Sequence, residues 1–460
     1  MMIFRHRSLR FALLLAALAP CAHAMDDPDG IADPEQEYWA QVENRDWDQA
    51  MLAAERLVEA TRVTSNANPE ALAEALTLLG NAQLATRNLL GAESAFAESL
   101  QILQPRVAPT SEKLLEPLRG MGITLAQAGK HEQAVPYMER ALSVSRRTHG
   151  LFNLNQQGIL RQLAASLAKI GQLVQAEQQM QYLVRVGEQT YGAKDPRMAV
   201  IHDQLGDFYM QAGFAGAARQ SYRDALQLVE RKLGRNDLAT VPPLRAYADS
   251  FRREFYLAQY GIRGLGERPS QVTDHHVESD GRAINPRYLN NDGERALKRA
   301  IKTLDSDPVR PTWLLLDTLL DLGDWYMIKG ESKQALVQYR RAASLLDQVE
   351  IEHGVAARAK VSFPVQVYYP VPSAATRHLK RPPQEVEERF VQVTFTVDAD
   401  GSVRDEHVEE ANASPRHVGD TLDAIRGARY RPKFVNGEPV ATRDVSLRQI
   451  FRLRRERDTE

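Results

Sequence analysis

Apolar residues recur three and four positions apart over most of the chain, the period of an amphipathic helix, and between Phe390 and Leu453 strand-like alternation appears on either side of one short helical stretch. The helical stretches align with one another. With "LLGNAQLATRNLLGAESAFAESL" placed on Gly80, "GMGITLAQAGKHEQAVPYMERAL" on Gly122, "QLAASLAKIGQLVQAEQQMQYLV" on Ala164 and "QLGDFYMQAGFAGAARQSYRDAL" on Gly206, successive anchors stand 42 residues apart. Twelve residues after each anchor is Ala92, Ala134, Ala176 or Ala218, and sixteen after is Phe96, Met138, Met180 or Tyr222. A small residue fixed where two helices cross, and a large one where a third must be filled, predict packed helix pairs. The phase reaches back to Tyr38 and Ala50 and forward to Ala248. Gly150, Gly192 and Gly234 follow each second helix at the same interval and predict left-handed C-terminal caps.

These positions resemble the tetratricopeptide repeat, whose consensus sets Leu-Gly, Tyr, Gly, Ala, Tyr or Phe and Ala at fixed offsets. "LGDFYMQAGFAGAARQSYRDA" supplies Leu205, Gly206, Tyr209, Gly213, Ala218, Tyr222 and Ala225, and "LGDWYMIKGESKQALVQYRRA" supplies Leu322, Gly323, Tyr326, Gly330, Ala335, Tyr339 and Ala342. The period is longer than the usual one of about 34 residues and looks like the extended-helix variety of kinesin light chains. The resemblance implies a helix-pair solenoid over residues 31–350 whose first helices line a groove for protein or peptide segments. Three residues before their anchors lie Arg119 and Arg161, whose guanidinium groups are expected to grip acidic side chains. Of the lysine and asparagine set by which some such repeats clamp a terminal carboxylate, Asn81 fits one place, while Thr77 stands where a lysine is required.

The phase breaks after the helix that begins near Pro243. "GIRGLGERPSQVTDHHVESDGRAINPRYLNND" is turn-rich and reads as a loop inserted at about 263–290 between the two helices of a sixth repeat. Its Asp274, His275, His276 and Asp280 lack metal-ligand spacing and read as a solvated loop.

Beyond Val355, "FPVQVYYPVPSAATRHLKRPPQE" carries five prolines and predicts an extended linker or edge strand over 355–389. "RFVQVTFTVDADGSVRDEHVEEA" then alternates around Asp400-Gly401 as a hairpin, and Val418, Leu422 and Ile425 stripe a short helix that Tyr430 and Pro432 stop. "FVNGEPV" turns the chain into a last strand with Val445, Leu447, Phe451 and Leu453 on one face. Strand, strand, helix, strand over 390–455, with "FTVDADGSV", "RYRP" and "NGEPV", resembles the C-terminal domain of TonB energy transducers. The resemblance implies a periplasmic module whose last strand pairs with a segment of outer-membrane transporters. The fold class expected is therefore a mostly α solenoid followed by a small α+β (β-β-α-β) domain. The docking residues on the last strand are Val445, Arg448, Ile450 and Arg452, an edge open to strand addition by a partner, by "VQVYYPV" or by a second copy in a homodimer.

Charge narrows the function. With 58 basic and 60 acidic residues and a formal net charge of -2, the chain has no electrostatic footprint for nucleic acid or an anionic membrane. Residues 1–24 carry Arg5, Arg7 and Arg10 ahead of an apolar run ending in Ala22-His23-Ala24, the form of a cleaved signal, so the mature chain is expected to begin at Met25 in the periplasm. The run from Phe11 to Ala24 spans about 21 Å as a helix against roughly 30 Å of hydrocarbon. The single cysteine, Cys21, goes with it, which excludes thiol chemistry. No phosphate loop, zinc motif or nucleophile elbow appears, and no cofactor or metal is implied. A non-enzymatic envelope adaptor is the reading, an energy transducer its alternative and an unrecognised enzyme a distant third.

Overall fold

The computed structural model describes residues 33–259, 289, 291–353, 357–376 and 386–454. The segment read as a signal and nearly all of the insertion read at 263–290, with its Asp274, His275, His276 and Asp280, lie outside the described residues. The chain divides into two compact units, one ending at Gly150 and one beginning at Leu151.

The first unit holds α1 (Pro34–Glu43), α2 (Trp47–Val63), α3 (Pro69–Ala85), α4 (Leu89–Leu103), α5 (Leu115–Gln127) and α6 (His131–His149). The first four start on a side-chain cap: Asp33, Asp46, Asn68 and Asn88 each accept a backbone N–H of the first turn. Pro34 and Pro69 occupy first-turn positions where no N–H is needed. Packing follows the anchor arithmetic. Phe96 and Ala92 are fully buried, and a Cβ on Gly80 would stand 2.7 Å from the Phe96 ring. Gly120, from the next pair, is still closer to that ring, and Gly122 meets Met138 at 2.7 Å in the same way. The glycines are there because a large side chain lies directly on the backbone.

The second unit continues the pairs as α7 (Gln157–Lys169) with α8 (Leu173–Tyr191), α9 (Met198–Ala212) with α10 (Ala215–Leu233), α11 (Val241–Gln259) with α12 (Asn291–Ser306), and α13 (Thr312–Ile328) with α14 (Ser332–Ala343), then α15 (Leu346–His353). Tyr222 rests on Gly206, and Tyr339 on Gly323. Ala176, Ala218 and Ala335 are fully buried at the crossings. The chain is thus mostly helical, an array of helix pairs followed by a small C-terminal strand region.

Gly150, Gly192 and Gly234 differ from the expected left-handed caps. Their φ values are +86°, +89° and +99°, but ψ is 165°, 140° and 165°, an extended conformation essentially restricted to glycine. The extended ψ turns the chain away from the helix axis. A second series closes the first helices: Gly129, Gly171 and Gly213 at φ +78°, +82° and +90°, with Arg87 and Arg45 in the same phase at +63° and +59°. An L-residue in that region pays about 1–2 kcal/mol that glycine does not. Arg87→Gly is therefore expected to stabilise the first unit by roughly 0.5–1 kcal/mol once the extra freedom of glycine in the unfolded chain is offset. Urea unfolding measures it, and a variant no more stable than the parent contradicts the strain argument.

The tail contains β1 (Val365–Tyr368), α16 (Ser373–Thr376), β2 (Val386–Val397), β3 (Val403–Ala411), α17 (Pro415–Gly427), β4 (Arg429–Arg431), β5 (Lys433–Val435), β6 (Glu438–Val440) and β7 (Thr442–Arg454). Strands β3, β2 and β7 form an antiparallel sheet in that order, with Val393 opposite Leu447 and Phe395 opposite Val445. Val391, Val393, Phe395 and Val397 are buried on the face covered by Ala424 and Ile425 of α17.

Three readings of the tail need correction. The stretch 355–389 is not a plain linker: β1 pairs antiparallel with β4, and β2 begins at Val386 inside it. Pro432 does not end a helix, since α17 stops at Gly427, with Ala428 extended; it separates β4 from β5. "VQVYYPV" pairs with β4 rather than filling the β7 edge. "FVNGEPV" turns the chain as expected, and it does so at Asn436 and Gly437, which take φ +51° and +81° between β5 and β6.

Candidate functional site

The first helices α7, α9, α11 and α13 present titratable residues at two fixed phases, the position after the anchor and the position three before it. After the anchors stand Asp207, Asp249 and Asp324; three before them stand Arg161, Asp203 and Arg245. Small anchors fix the roll of each helix against its partner, so residues one after and three before, four apart and one turn away on the same face, project together.

On α11 and α13 these groups form a buried charge cluster joined by the tail. Arg431 of β4 places Nε 3.0 Å from Asp324 Oδ1 and Nη2 2.7 Å from Oδ2, and donates Nη1 to the Lys360 carbonyl at 3.1 Å. The Tyr339 hydroxyl donates to Asp324 Oδ1 at 2.8 Å. Arg252 pairs with Asp249, and lies 3.6 Å from both Asp321 and Asp324. Arg245 donates Nε to Asp321 at 2.8 Å, and Lys360 pairs with Asp317. Burial works against the charges of Arg252 and Arg431, yet the surrounding carboxylates outweigh it and hold both guanidinium groups above their ordinary values.

Apolar contacts complete the seat. Phe434 meets the Tyr339 ring edge-on at 6.3 Å between centroids, its N–H donates to the Val361 carbonyl at 2.8 Å, and Tyr368 packs on Phe255 at 6.0 Å. The Tyr256 hydroxyl donates to the Val367 carbonyl. The Gly401 turn of the β2–β3 hairpin accepts from the Tyr430 N–H at 2.9 Å and stands against Met327 of α13. The first-helix face of the last pairs thus holds extended segments of its own chain.

On α9 the same face is acidic. Asp207 accepts from the Tyr222 hydroxyl at 2.9 Å. Burial raises its carboxyl above the usual range, Tyr222 and the nearby Arg161 oppose the rise, and Asp249 adds to it. Burial and then Asp207 push Asp203 well above its ordinary value, and among the described residues nothing donates to its Oδ1. Because the folded value exceeds the unfolded one, the folded state keeps an extra proton above about pH 4, and stability falls as pH rises through the raised value. Asp203→Asn removes that titration. Its stability relative to the parent is expected to grow from about pH 4 toward neutrality; a difference independent of pH, by urea midpoints, contradicts this.

The residues proposed from the sequence fall as follows. Arg119 on α5 is paired with Glu116 of its own helix at 2.5 Å, so its charge is already balanced. Arg161 on α7 is half-buried, and burial lowers its value while Asp207 raises it. Asn81 is half-buried on α3. Thr77 is buried, bonded to Ser99 at 2.9 Å and to the Ala73 carbonyl at 2.8 Å, so its hydroxyl is used within the helix pair.

On β7, Val445 faces the sheet core with Leu447, while Arg448, Ile450 and Arg452 share the opposite face. Arg448 stacks on the Phe390 ring at 3.4 Å and Arg452 pairs with Glu388 at 3.1 Å, so both arginines bind the neighbouring strand across the sheet face. Among the described strands β7 is an edge of its sheet. Sequence reasoning missed Asp203, Asp207, Asp249 and Asp324, although the phase that singled out Arg119 and Arg161 also selects Asp203. Among the described residues no group of three or more histidines, cysteines and carboxylates could hold a metal, and no helix is long and apolar enough to cross a membrane.

Comparison with known proteins places the repeats. Residues 44–152 match the tetratricopeptide repeat family. Solved structures similar to the chain include BtubC (BKLC) from P. vanneervenii, at 16% identity over 67% of this chain and 92% of that one, TM-score 0.36. Another is a tetratricopeptide repeat protein from Parabacteroides merdae, at 15% identity over 68% and 91%, TM-score 0.39. A third is a Podosopora anserina protein with nearly identical TPR-like repeats, at 15% identity over 45% and 98%, TM-score 0.40. No curated protein matches the chain. Over residues 44–152 the chain thus carries tetratricopeptide repeats.

Proposed function

We propose that this protein is a non-enzymatic interaction scaffold of the bacterial cell envelope, exported to the periplasm, whose helix-pair array and C-terminal module each hold segments of other proteins. The observation that carries the reading is the tail itself: β4 is held on the first helix α13 through Arg431, and Phe434 of β5 meets Tyr339 of its partner α14, so this helix pair accepts extended chain by ion pairing and aromatic contact. The module's order of β2, β3, α17 and β7, with β7 at the sheet edge, supports a TonB-like domain. Its candidate partners are outer-membrane transporters, bound by strand addition along β7.

Photo-crosslinking residues placed in living cells at Asn81 on the first-helix face of the array and at Ile450 on β7 test the reading. Specific envelope proteins are expected to crosslink at one or both positions, and the purified chain is expected to begin at Met25. A chain recovered from the cytosol, or crosslinks no different from those at an exposed position on a second helix such as Arg223, defeats it.

A further inference from the structure

The last repeat displays what its first-helix aspartate binds. Asp324, one residue after Gly323, takes the Tyr339 hydroxyl on Oδ1 and the Arg431 guanidinium across both oxygens. Asp207, one residue after Gly206, takes the Tyr222 hydroxyl on Oδ1, and the separation from aspartate to tyrosine is 15 in both repeats. In each, the tyrosine ring lies on the anchor glycine, which fixes where its hydroxyl points and so which oxygen it occupies. In the last repeat the second oxygen of the aspartate takes the Arg431 Nη2 at 2.7 Å.

Charge distinguishes the two copies. Around Asp324, the cations Arg245, Arg252, Lys360 and Arg431 stand with the anions Asp249, Asp317, Asp321 and Asp324, so the cluster balances. Around Asp207, Arg161 is the cation that acts on that carboxylate and Asp249 adds repulsion, while burial and Asp207 hold the neighbouring Asp203 in its protonated form over a wider pH range. Asp203 Oδ1, sealed among the described residues without a donor, is a second acceptor beside Asp207. A buried acceptor without a donor, beside a carboxylate that a tyrosine hydroxyl orients as in the last repeat, calls for a planar, multi-donor group.

We propose that Asp207, oriented by Tyr222 and assisted by Asp203, is a cradle for an arginine side chain presented by an extended segment of a partner protein, as Asp324 is for Arg431 within the chain. The inference rests on the reading that the first-helix face holds protein segments, and adds the chemistry that selects them. Arginine is favoured over lysine because its fork satisfies two acceptors at once, where an ammonium offers one point charge.

The probe is a fluorescently labelled synthetic octapeptide of residues 428–435, ARYRPKFV, which carries the arginine that the equivalent cradle holds. Its binding to the full chain is followed by fluorescence anisotropy. Asp207→Asn, which keeps the size of the side chain, is expected to weaken binding at least tenfold. A peptide with glutamine in place of Arg431 is expected to bind the parent comparably weakly and to lose little more on Asp207→Asn. Should Asp207→Asn fail to fold, Tyr222→Phe removes only the orienting hydroxyl and is expected to weaken binding about threefold or more. Peptide binding that is equal for parent and variant, as when the peptide displaces β4 from Asp324 instead, overturns the proposal, and so does the absence of binding to the parent. Partners that crosslink to the first-helix face and bind Asp207→Asn unchanged refute the arginine cradle while the scaffold reading stands. The loss of all crosslinks at that face removes the scaffold reading itself.

Discussion

Arg431→Met is expected to destabilise the chain by about 3–5 kcal/mol, because it leaves the Asp324 carboxylate buried without its bidentate partner. The guanidinium is almost wholly enclosed, with a side-chain exposure of 10%, and it ties β4 to α13 by charge. Methionine preserves most of the volume, so the loss reports the unpaired anion rather than a cavity. Hydrogen exchange is expected to quicken in β1 and β4 to β6, while β2, β3 and β7, which rest on their own core with α17, keep their protection. The double variant Arg431→Met, Asp324→Leu should recover much of the stability, since removing both charges removes the desolvation burden with them. A single variant within about 1 kcal/mol of the parent, the level of an exposed pair, would mean that the tail is held on the helices by its apolar contacts alone.

Phe96→Ala carries the second large effect, an expected loss of about 3–5 kcal/mol from the first unit. The ring is fully buried, and the backbones of Gly80 and Gly120 lie against it, so two successive helix pairs lose their common filler at once. Repeats exchange stability mainly with their nearest neighbours, so α3 to α5 should lose exchange protection together. Gly120→Ala approaches the same contact from the other side: its Cβ would stand inside the ring's contact distance, and the expected cost is about 1–3 kcal/mol. If Phe96→Ala costs less than Gly120→Ala, the neighbouring side chains refill the space and the site is not tightly determined.

The repeats were legible because their physics is local and periodic. A glycine or alanine every 42 residues, with a large side chain sixteen further on, is a packing requirement written directly into spacing, and the structure meets it at Phe96, Met138, Tyr222 and Tyr339. The candidate site was legible only in part. Position three before the anchor pointed to Arg119 and Arg161 as cations for an acidic ligand, but charge in isolation does not reveal its surroundings. Glu116 neutralises Arg119 from one turn away, and Arg161 is felt by Asp207 on the next first helix.

By itself the sequence determined the helix pairs, their phase, the Asp400-Gly401 and Asn436-Gly437 turns, and the alternation that buries Val391, Val393 and Phe395. Each depends on contacts within a few dozen residues or on the intrinsic φ preference of glycine and asparagine. Only the tertiary structure decided that the proline-rich stretch pairs with β4, that Arg431 reaches Asp324 across 107 residues, and that Asp207 repeats the geometry without an arginine from the described chain in the place of Arg431. Long-range ion pairs carry no period, and a guanidinium fits many carboxylates equally well until the backbone brings one of them within about 3 Å.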